Sequence, residues 1–286
     1  MGKIAVVTDS SCDLPQDVIE KWQIEVVPLR IHYIDQEYRD GIEITADEVA
    51  DQLKQEIPKT SMPTPEDIYS TFEKLKNSGV THIIVITVAA AISGTYNTFR
   101  LVANEFELEI SMVDSAGVSF LLGFLVLEAA RLCSITTNMT EILDKIDKTK
   151  KQLKGYFIVD TLDYLRAGGR IGKVASSIGS MLNIKPIISL DSEGKLYPHG
   201  IARGKKQAIR KMISPILKQL ESTRAHIAIL HTKAEEEALA LKEKMMQYDT
   251  LQNLYIRTVS PALMVHAGPG LLGIVIHPLP QDQENA

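Results

Sequence analysis

The sequence is short of cysteine, aromatic residues and paired histidines, and each shortage closes off a class of protein. Only Cys12 and Cys133 occur among 286 residues. They lie far apart and outside any metal-ligand spacing, which excludes a disulfide scaffold and fits a reducing compartment, so the expected location is the cytoplasm. The seven histidines, at 32, 82, 199, 226, 231, 266 and 277, show no helical pairing, and no metal site is expected. Aromatic residues make up 6% of a chain with 36 acidic against 31 basic side chains and a net charge of −5. A nucleic-acid surface is therefore not expected. The cluster Arg203, Lys205, Lys206, Arg210 and Lys211 is better read as a solvated helix face or a surface that docks a partner protein. The opening MGKIAVVTDS has four apolar residues in a row before Thr8 and Asp9, too few for a secretory signal.

Two windows, Asn77 to Phe99 and Thr258 to Pro280, each run 23 residues without a formal charge, long enough to cross a bilayer at roughly 20 residues per span. Neither is a span. The first contains Ser78, Gly79, Thr81, Ser93, Gly94 and Thr95, and the second holds four prolines and three glycines, punctuation that no continuous apolar helix survives.

What is present is an alternation of strand and helix patterns. With 45% hydrophobic residues over this length, the chain can support one large or two medium domains. Lys3–Val7 is an apolar run feeding the polar loop Thr8-Asp9-Ser10-Ser11, and a helix-length segment with Pro15 near its start follows to Trp22. Residues 24–34 alternate β-branched and polar side chains. Thr45 with Glu48 makes a capping box opening a helix to about Glu56, and Thr64 caps a helix whose first position is Pro65. His82–Val88, the loop 89–93, the helix 94–105 and the strand 108–113 form a βαβ unit, so the first half should hold a parallel sheet covered by helices. From Gly155 further strands are expected at 156–160, 185–190, 195–201, 226–231, 254–259 and 273–277, with a hairpin turn at Asp191-Ser192-Glu193-Gly194. The lysine-rich helix ending at Lys154-Gly155 marks the expected boundary between an N-terminal domain, 1–154, and a C-terminal α/β domain, 155–286.

Familiar enzyme signatures fail. Ala91-Ile92-Ser93-Gly94-Thr95 has Ala91 where the hydrolase nucleophile elbow needs glycine. Ala167-Gly168-Gly169-Arg170-Ile171-Gly172-Lys173 has Ala167 and Val174 where a Walker A loop needs glycine and Ser or Thr. Asp9-Ser10-Ser11 lacks the second acid of an aspartyl phosphotransferase. What remains suits an anion. Thr60-Ser61 lies in a proline-stiffened loop, and Ser93-Gly94-Thr95 opens a helix whose free N–H groups and dipole favour negative charge. His266 to Gly270 places an imidazole in a permissive turn, and Arg170 stands in a glycine-rich loop. Each has a plainer reading: Ser93 as a helix cap, Thr60-Ser61 as a turn, His266 as a structural histidine and Arg170 as a surface ion pair. Ser115 to Leu127, uncharged and apolar on every side, is expected to form a helix that is either core or the wall of an apolar cavity; at about 20 Å it could flank an acyl chain.

In combination these segments resemble the DegV family of bacterial fatty-acid-binding proteins. The likeness covers nearly the whole chain. It rests on Thr8-Asp9-Ser10-Ser11-Cys12-Asp13-Leu14-Pro15, Thr60-Ser61-Met62-Pro63, Ile92-Ser93-Gly94-Thr95-Tyr96, Val113-Asp114-Ser115, residues 159–165 with Gly168-Gly169-Arg170-Ile171, Lys185-Pro186, Arg203-Gly204-Lys205-Lys206, and His266-Ala267-Gly268-Pro269-Gly270. The resemblance implies a Rossmann-like N-terminal domain, a mixed α/β C-terminal domain and a long-chain fatty acid in a tunnel between them, with no further cofactor. Its carboxylate would meet Thr60 and Ser93, with Ser61, Gly94, Thr95, Arg170, His266 and Gly268 completing the site. The resemblance also implies a non-catalytic role: the bound acid is presented to a separate ATP-dependent fatty acid kinase subunit, whose acyl phosphate enters phospholipid synthesis, and transient membrane contact would accompany that traffic. The competing expectation is a hydrolase or phosphotransferase using Ser93 with His266. Where many members carry a hydroxyl-rich segment before Ser-Gly-Thr, this chain has Ala89-Ala90-Ala91-Ile92, and bulky residues replace glycines in Ser119-Phe120-Leu121-Leu122-Gly123-Phe124.

Overall fold

The computed structural model describes residues 3–177 and 183–280. The first strand, β1 (Lys3–Asp9), buries its last five side chains, as an apolar run covered on both faces must. A 3₁₀ turn at Ser10–Cys12 leads to α1 (Gln16–Trp22), β2 (Glu25–Val27), β3 (Arg30–His32), β4 (Glu37–Arg39) and α2 (Ala46–Gln52). Thr45 and Glu48 form the expected capping box at the start of α2. Then come β5 (Lys59–Ser61), α3 (Pro65–Asn77), β6 (Val80–Thr87), α4 (Thr95–Ala103), β7 (Glu109–Asp114), α5 (Phe120–Ile135) and α6 (Met139–Gln152). Thr64 accepts the amide hydrogen of Asp67 at the head of α3, with Pro65 in its first turn.

The remaining elements are β8 (Lys154–Ile158), α7 (Asp163–Ala167), a 3₁₀ segment at Gly172–Ser177, β9 (Ile184–Leu190), β10 (Leu196–Arg203), α8 (Lys205–Leu220), β11 (Ala225–His231), α9 (Glu235–Met245), β12 (Leu251–Thr258), α10 (Pro261–Ala267) and β13 (Leu272–Pro278). The fold is α/β. One sheet is parallel, in the order β2-β1-β6-β7. A second, mixed sheet runs β10-β9-β8-β13-β11-β12, and a small antiparallel sheet runs β4-β3-β5. The turn at Asp191 closes the antiparallel β9/β10 hairpin, its amide donating to the Lys195 carbonyl.

Two expectations change. The alternating stretch 24–34 is not one strand but β2 and β3, which enter different sheets. The break falls at Pro28, which has no amide hydrogen for a ladder. The apolar helix begins at Phe120 rather than directly after Asp114. Asp114 accepts hydrogen bonds from the amides of Ala90 and Ala116, and Ala116 and Ser119 are left-handed, at φ 49° and 56°, so the backbone from 115 to 119 is held in a turn.

Period-two alternation sorts the core. Ala5, Val7, Ile83 and Val85 face α3 and α4 on one side of the parallel sheet. Ile227, Ile229, Ile274 and Ile276 face α8 and α9 on the outer side of the mixed sheet. Between the sheets lie Val6, Ile84 and Ile86 from one, Ala228, Leu230 and Val275 from the other, and most of α5. Among the described residues, no helix is long and apolar enough to cross a membrane.

Candidate functional site

The space between the two sheets is not wholly filled. A cavity of about 150 Å³ is lined by Val88, Val118 and Leu121 on one side and by Phe157, Leu190, Leu230 and Val275 on the other. Leu121 is the member of the apolar helix that looks inward, while Phe120, Leu122, Phe124 and Leu125 are buried in the surrounding core. α5 is therefore both core and cavity wall. Gly155 lies opposite: a Cβ there would come within about 3.0 Å of the Leu121 side chain.

The polar part of the wall includes Ser11 and Ser119, whose hydroxyls donate to Asp9 and Asp13, and residues from four other separated segments. Thr60 sits on β5, fixed by its pairing with Ile31 of β3. Its Oγ1 lies 2.7 Å from His266 Nε2, near the end of α10 and 206 residues away in sequence. Ser61 Oγ lies 2.7 Å from His32 Nε2. Ser93 Oγ lies 2.8 Å from Thr95 Oγ1 and accepts the Thr95 amide hydrogen at 3.3 Å. Arg170 donates through Nε to the Ile92 carbonyl at 3.1 Å and through Nη1 to the Gly168 carbonyl at 2.6 Å, which holds its guanidinium beside Ser93 in the cavity wall.

Burial, and after it the positive charge of Arg170, pushes the His266 imidazole down to about 4. It is neutral near pH 7. With its hydrogen on Nε2 the ring donates to Thr60 and leaves the threonine hydroxyl free to donate elsewhere. Its other nitrogen, Nδ1, is buried without a partner among the described residues and abuts Gly168, where a Cβ would come within 2.1 Å of it. Glycine is required at 168 for this imidazole to be where it is.

A second, more open space of about 280 Å³ adjoins the first and shares Ile92, Ser93, Arg170 and Leu196 with it; Gly94 and Lys195 also border it. Among the described residues, no group of acidic, histidine and cysteine side chains could hold a metal ion.

The structure thus brings Thr60, Ser61, Ser93, Arg170 and His266 to one cavity wall and Gly94 to the adjoining space. Thr95 is fully buried behind Ser93. Gly268 is not on the wall. It takes a left-handed φ of 66° against the Tyr164 ring, and its carbonyl accepts from Thr232 Oγ1 at 2.6 Å, so it turns the chain after α10. Ser93 also serves the helix as the plain reading expects: Gly94, at the N-cap of α4, has no side chain to offer, and Ser93 Oγ takes the amide hydrogen of Thr95, the first helical residue. The apolar lining of Leu165, Leu190, Leu230, Leu271 and Val275 had no motif to announce it. Only the alternation of β11 and β13 carried a trace, because it separates Leu230 and Val275 from the outward-facing Ile229 and Ile274.

An apolar chamber with the hydroxyls of Thr60, Ser61 and Ser93, a neutral imidazole and a guanidinium at one side suits an amphiphile. The comparisons with known proteins agree. A DegV domain-containing protein of Clostridium acetobutylicum is 42% identical over 277 residues, which cover 96% of this chain and 99% of that protein. A solved structure described as fatty acid binding of a DegV family protein from Thermus thermophilus superposes with a TM-score of 0.91 at 28% identity, covering 97% of this chain and 100% of its own. Another, of DegV, a fatty acid binding protein from Bacillus subtilis, gives 0.90 at 28% identity, covering 98% and 100%. The family model for "Uncharacterised protein, DegV family" matches residues 3–279. On that match and these identities, the chain belongs to the DegV family.

Proposed function

We propose that this protein binds a long-chain fatty acid in the cavity between its two sheets, with the carboxylate at Thr60 and Ser93 and the tail along Leu121, Phe157, Leu230 and Val275. The observation that carries the reading is the junction of an apolar chamber with the Thr60–His266 pair and Arg170. The two structural relatives named above are described as fatty-acid-binding, which supports it. An ionised carboxylate buried without partners costs several kcal/mol, and each charge-assisted hydrogen bond returns about 1.5–3 kcal/mol. Two hydroxyls beside a guanidinium can meet that cost. The tail adds about 0.8 kcal/mol per buried methylene, so affinity comes mainly from the chain and orientation from the polar wall.

In this reading the protein is a carrier and not a catalyst: it presents the carboxylate to a separate ATP-dependent kinase that forms the acyl phosphate for phospholipid synthesis, in the cytoplasm and with transient visits to the membrane. The carrier divides into two domains near residue 154 in this reading, which the order of strands supports because those of the mixed sheet all lie from Lys154 onward. The alternative, Ser93 activated by His266, is disfavoured because the imidazole is engaged by Thr60 and burial makes it a weak base.

Native mass spectrometry of the purified protein, followed by organic extraction, tests the binding. Recovery of a long-chain acid, or uptake of added palmitate or oleate, is expected; the absence of both would refute the reading. Incubation of the loaded protein with ATP and its partner kinase should yield acyl phosphate, whereas ester turnover by the isolated chain, abolished by Ser93→Ala, would establish the enzyme instead.

A further inference from the structure

We propose that Asp13 and Asp40 are positioning residues for the carboxylate site: from two loops of the N-terminal half they grip the first turn of α10 and so set where His266 meets Thr60. The inference rests on the fatty-acid reading above. Asp13 Oδ1 accepts the Ser260 amide hydrogen at 2.8 Å, and its Oδ2 accepts from Ser119 Oγ at 2.5 Å. Asp40 Oδ1 accepts the Ala262 amide hydrogen at 2.8 Å, and its Oδ2 accepts from Ser10 Oγ at 2.5 Å. Pro261, between the two donors, has no amide hydrogen. The two carboxylates therefore take every backbone donor from Ser260 to Ala262, the entry to α10.

α10 has seven residues, too few to be stable alone, and its orientation has to be imposed from outside. Its far end carries His266, four residues or about 6 Å beyond Ala262. The helix is thus tied to the N-terminal half at both ends, by Asp13 and Asp40 at its start and by Thr60 at its finish. Ser10 extends the tie, because its Oγ also accepts the Leu29 amide hydrogen at 3.0 Å, at the start of the segment that leads into β3 and so to the partner strand of Thr60. These hydrogen bonds add direction to the apolar packing of Met264 and Val265 against Ile31 and Val49, and together they locate both partners of the Thr60–His266 pair. Both acids are buried, and burial raises Asp13 to about 7 and Asp40 to about 6. Holding carboxylates there is costly. What each supplies over a serine cap is two acceptor oxygens at once, one for a backbone amide of α10 and one for a serine hydroxyl of the N-terminal half.

The test compares palmitate with hexadecanol, which shares the tail and lacks the carboxylate. Asp13→Ala and Asp40→Ala should each weaken palmitate about fivefold and hexadecanol less than about twofold, the remote effect on the carboxylate site of losing the two hydrogen bonds each carboxylate accepts. Asp13→Asn and Asp40→Asn should restore palmitate to within about twofold of the natural protein, because the amide oxygen still accepts the backbone hydrogen. Equal loss for both ligands, or none, would overturn the positioning role. Hydrogen exchange in the unaltered chain answers the same question even if the alanine variants do not fold: palmitate should slow exchange at the Ser260 and Ala262 amides severalfold more than hexadecanol does, and an equal effect of the two ligands would overturn the proposal. An unaltered chain that takes up no palmitate would refute the fatty-acid reading itself, which separates that failure from this one.

Discussion

The two walls of the cavity are built from different kinds of structure. The apolar wall comes chiefly from Leu121 of α5 and from strands of the mixed sheet, where a side chain's direction follows from the regular period of its element. The polar wall comes from an edge strand, the turn before α4, the loop after α7 and the last turn of a seven-residue helix. Each of those pieces is held by hydrogen bonds to something remote in sequence, as Thr60 is to His266 and Arg170 to Ile92. An apolar wall of this sort is sensitive to volume and indifferent to fine chemistry. A polar wall made of loops is sensitive to the loss of single atoms.

The sharpest way to separate them is to fill the cavity without touching a polar group. Gly155→Leu should weaken binding of a C16 acid about a hundredfold by displacing three or four methylenes at about 0.8 kcal/mol each, while shorter acids lose far less; isothermal titration across a chain-length series measures this. Next, Thr60→Ala and Ser93→Ala should each cost about tenfold in palmitate affinity, leave hexadecanol nearly unchanged and shift the melting temperature by no more than a few degrees. A matching loss of stability would assign both hydroxyls to the fold and collapse the distinction between the walls.

Protons give a third contrast. His277, on the inner face of the mixed sheet against Phe124, is pushed down to about 3 by burial, with His226 and Arg131 adding to the effect. A histidine held below its unfolded value favours the fold above about pH 6.5, and that contribution is lost as the pH falls toward its folded value. Asp13 and Asp40, raised by burial, act in the opposite sense. His277→Gln should therefore gain about 1–2 kcal/mol relative to the unaltered protein between pH 6.5 and 4.5, read from urea unfolding at the two pH values, with no change in ligand preference at pH 7. The smallest effect is expected of Leu121→Ala, which widens the apolar wall: affinity for palmitate should fall only about threefold as longer acids gain, checked by competition between C16 and C20 chains.

Much of the fold was legible because it follows from neighbouring residues. The Thr45–Glu48 capping box, Pro65 in the first turn of α3 and the turn at Asp191 all appear as their local chemistry demands. Two hydroxyls of the polar wall were legible too, since Thr60 and Ser93 lie in segments stiffened by proline or opening a helix. Gly268 shows the limit. Its sequence context looked like part of a binding turn, but its left-handed backbone and its contact with Tyr164 serve the chain's path, and no spacing rule distinguishes a glycine beside a ligand from one beside a ring. Asp13 and Asp40 were equally silent as a pair, because their partners at Ser260 and Ala262 lie more than 200 residues away.

The sequence by itself determined most of the strands and helices, which enzyme signatures are missing, and the family to which the chain belongs. These depend on periods, caps and motifs within a few turns of chain. The tertiary structure alone decided that Leu121 looks into the cavity while Phe120 and Leu122 pack around it, that His266 engages Thr60 rather than Ser93, and that α10 is gripped by two acids from the other half. Those outcomes depend on how the two sheets are brought face to face, a relation between distant residues that no local pattern encodes.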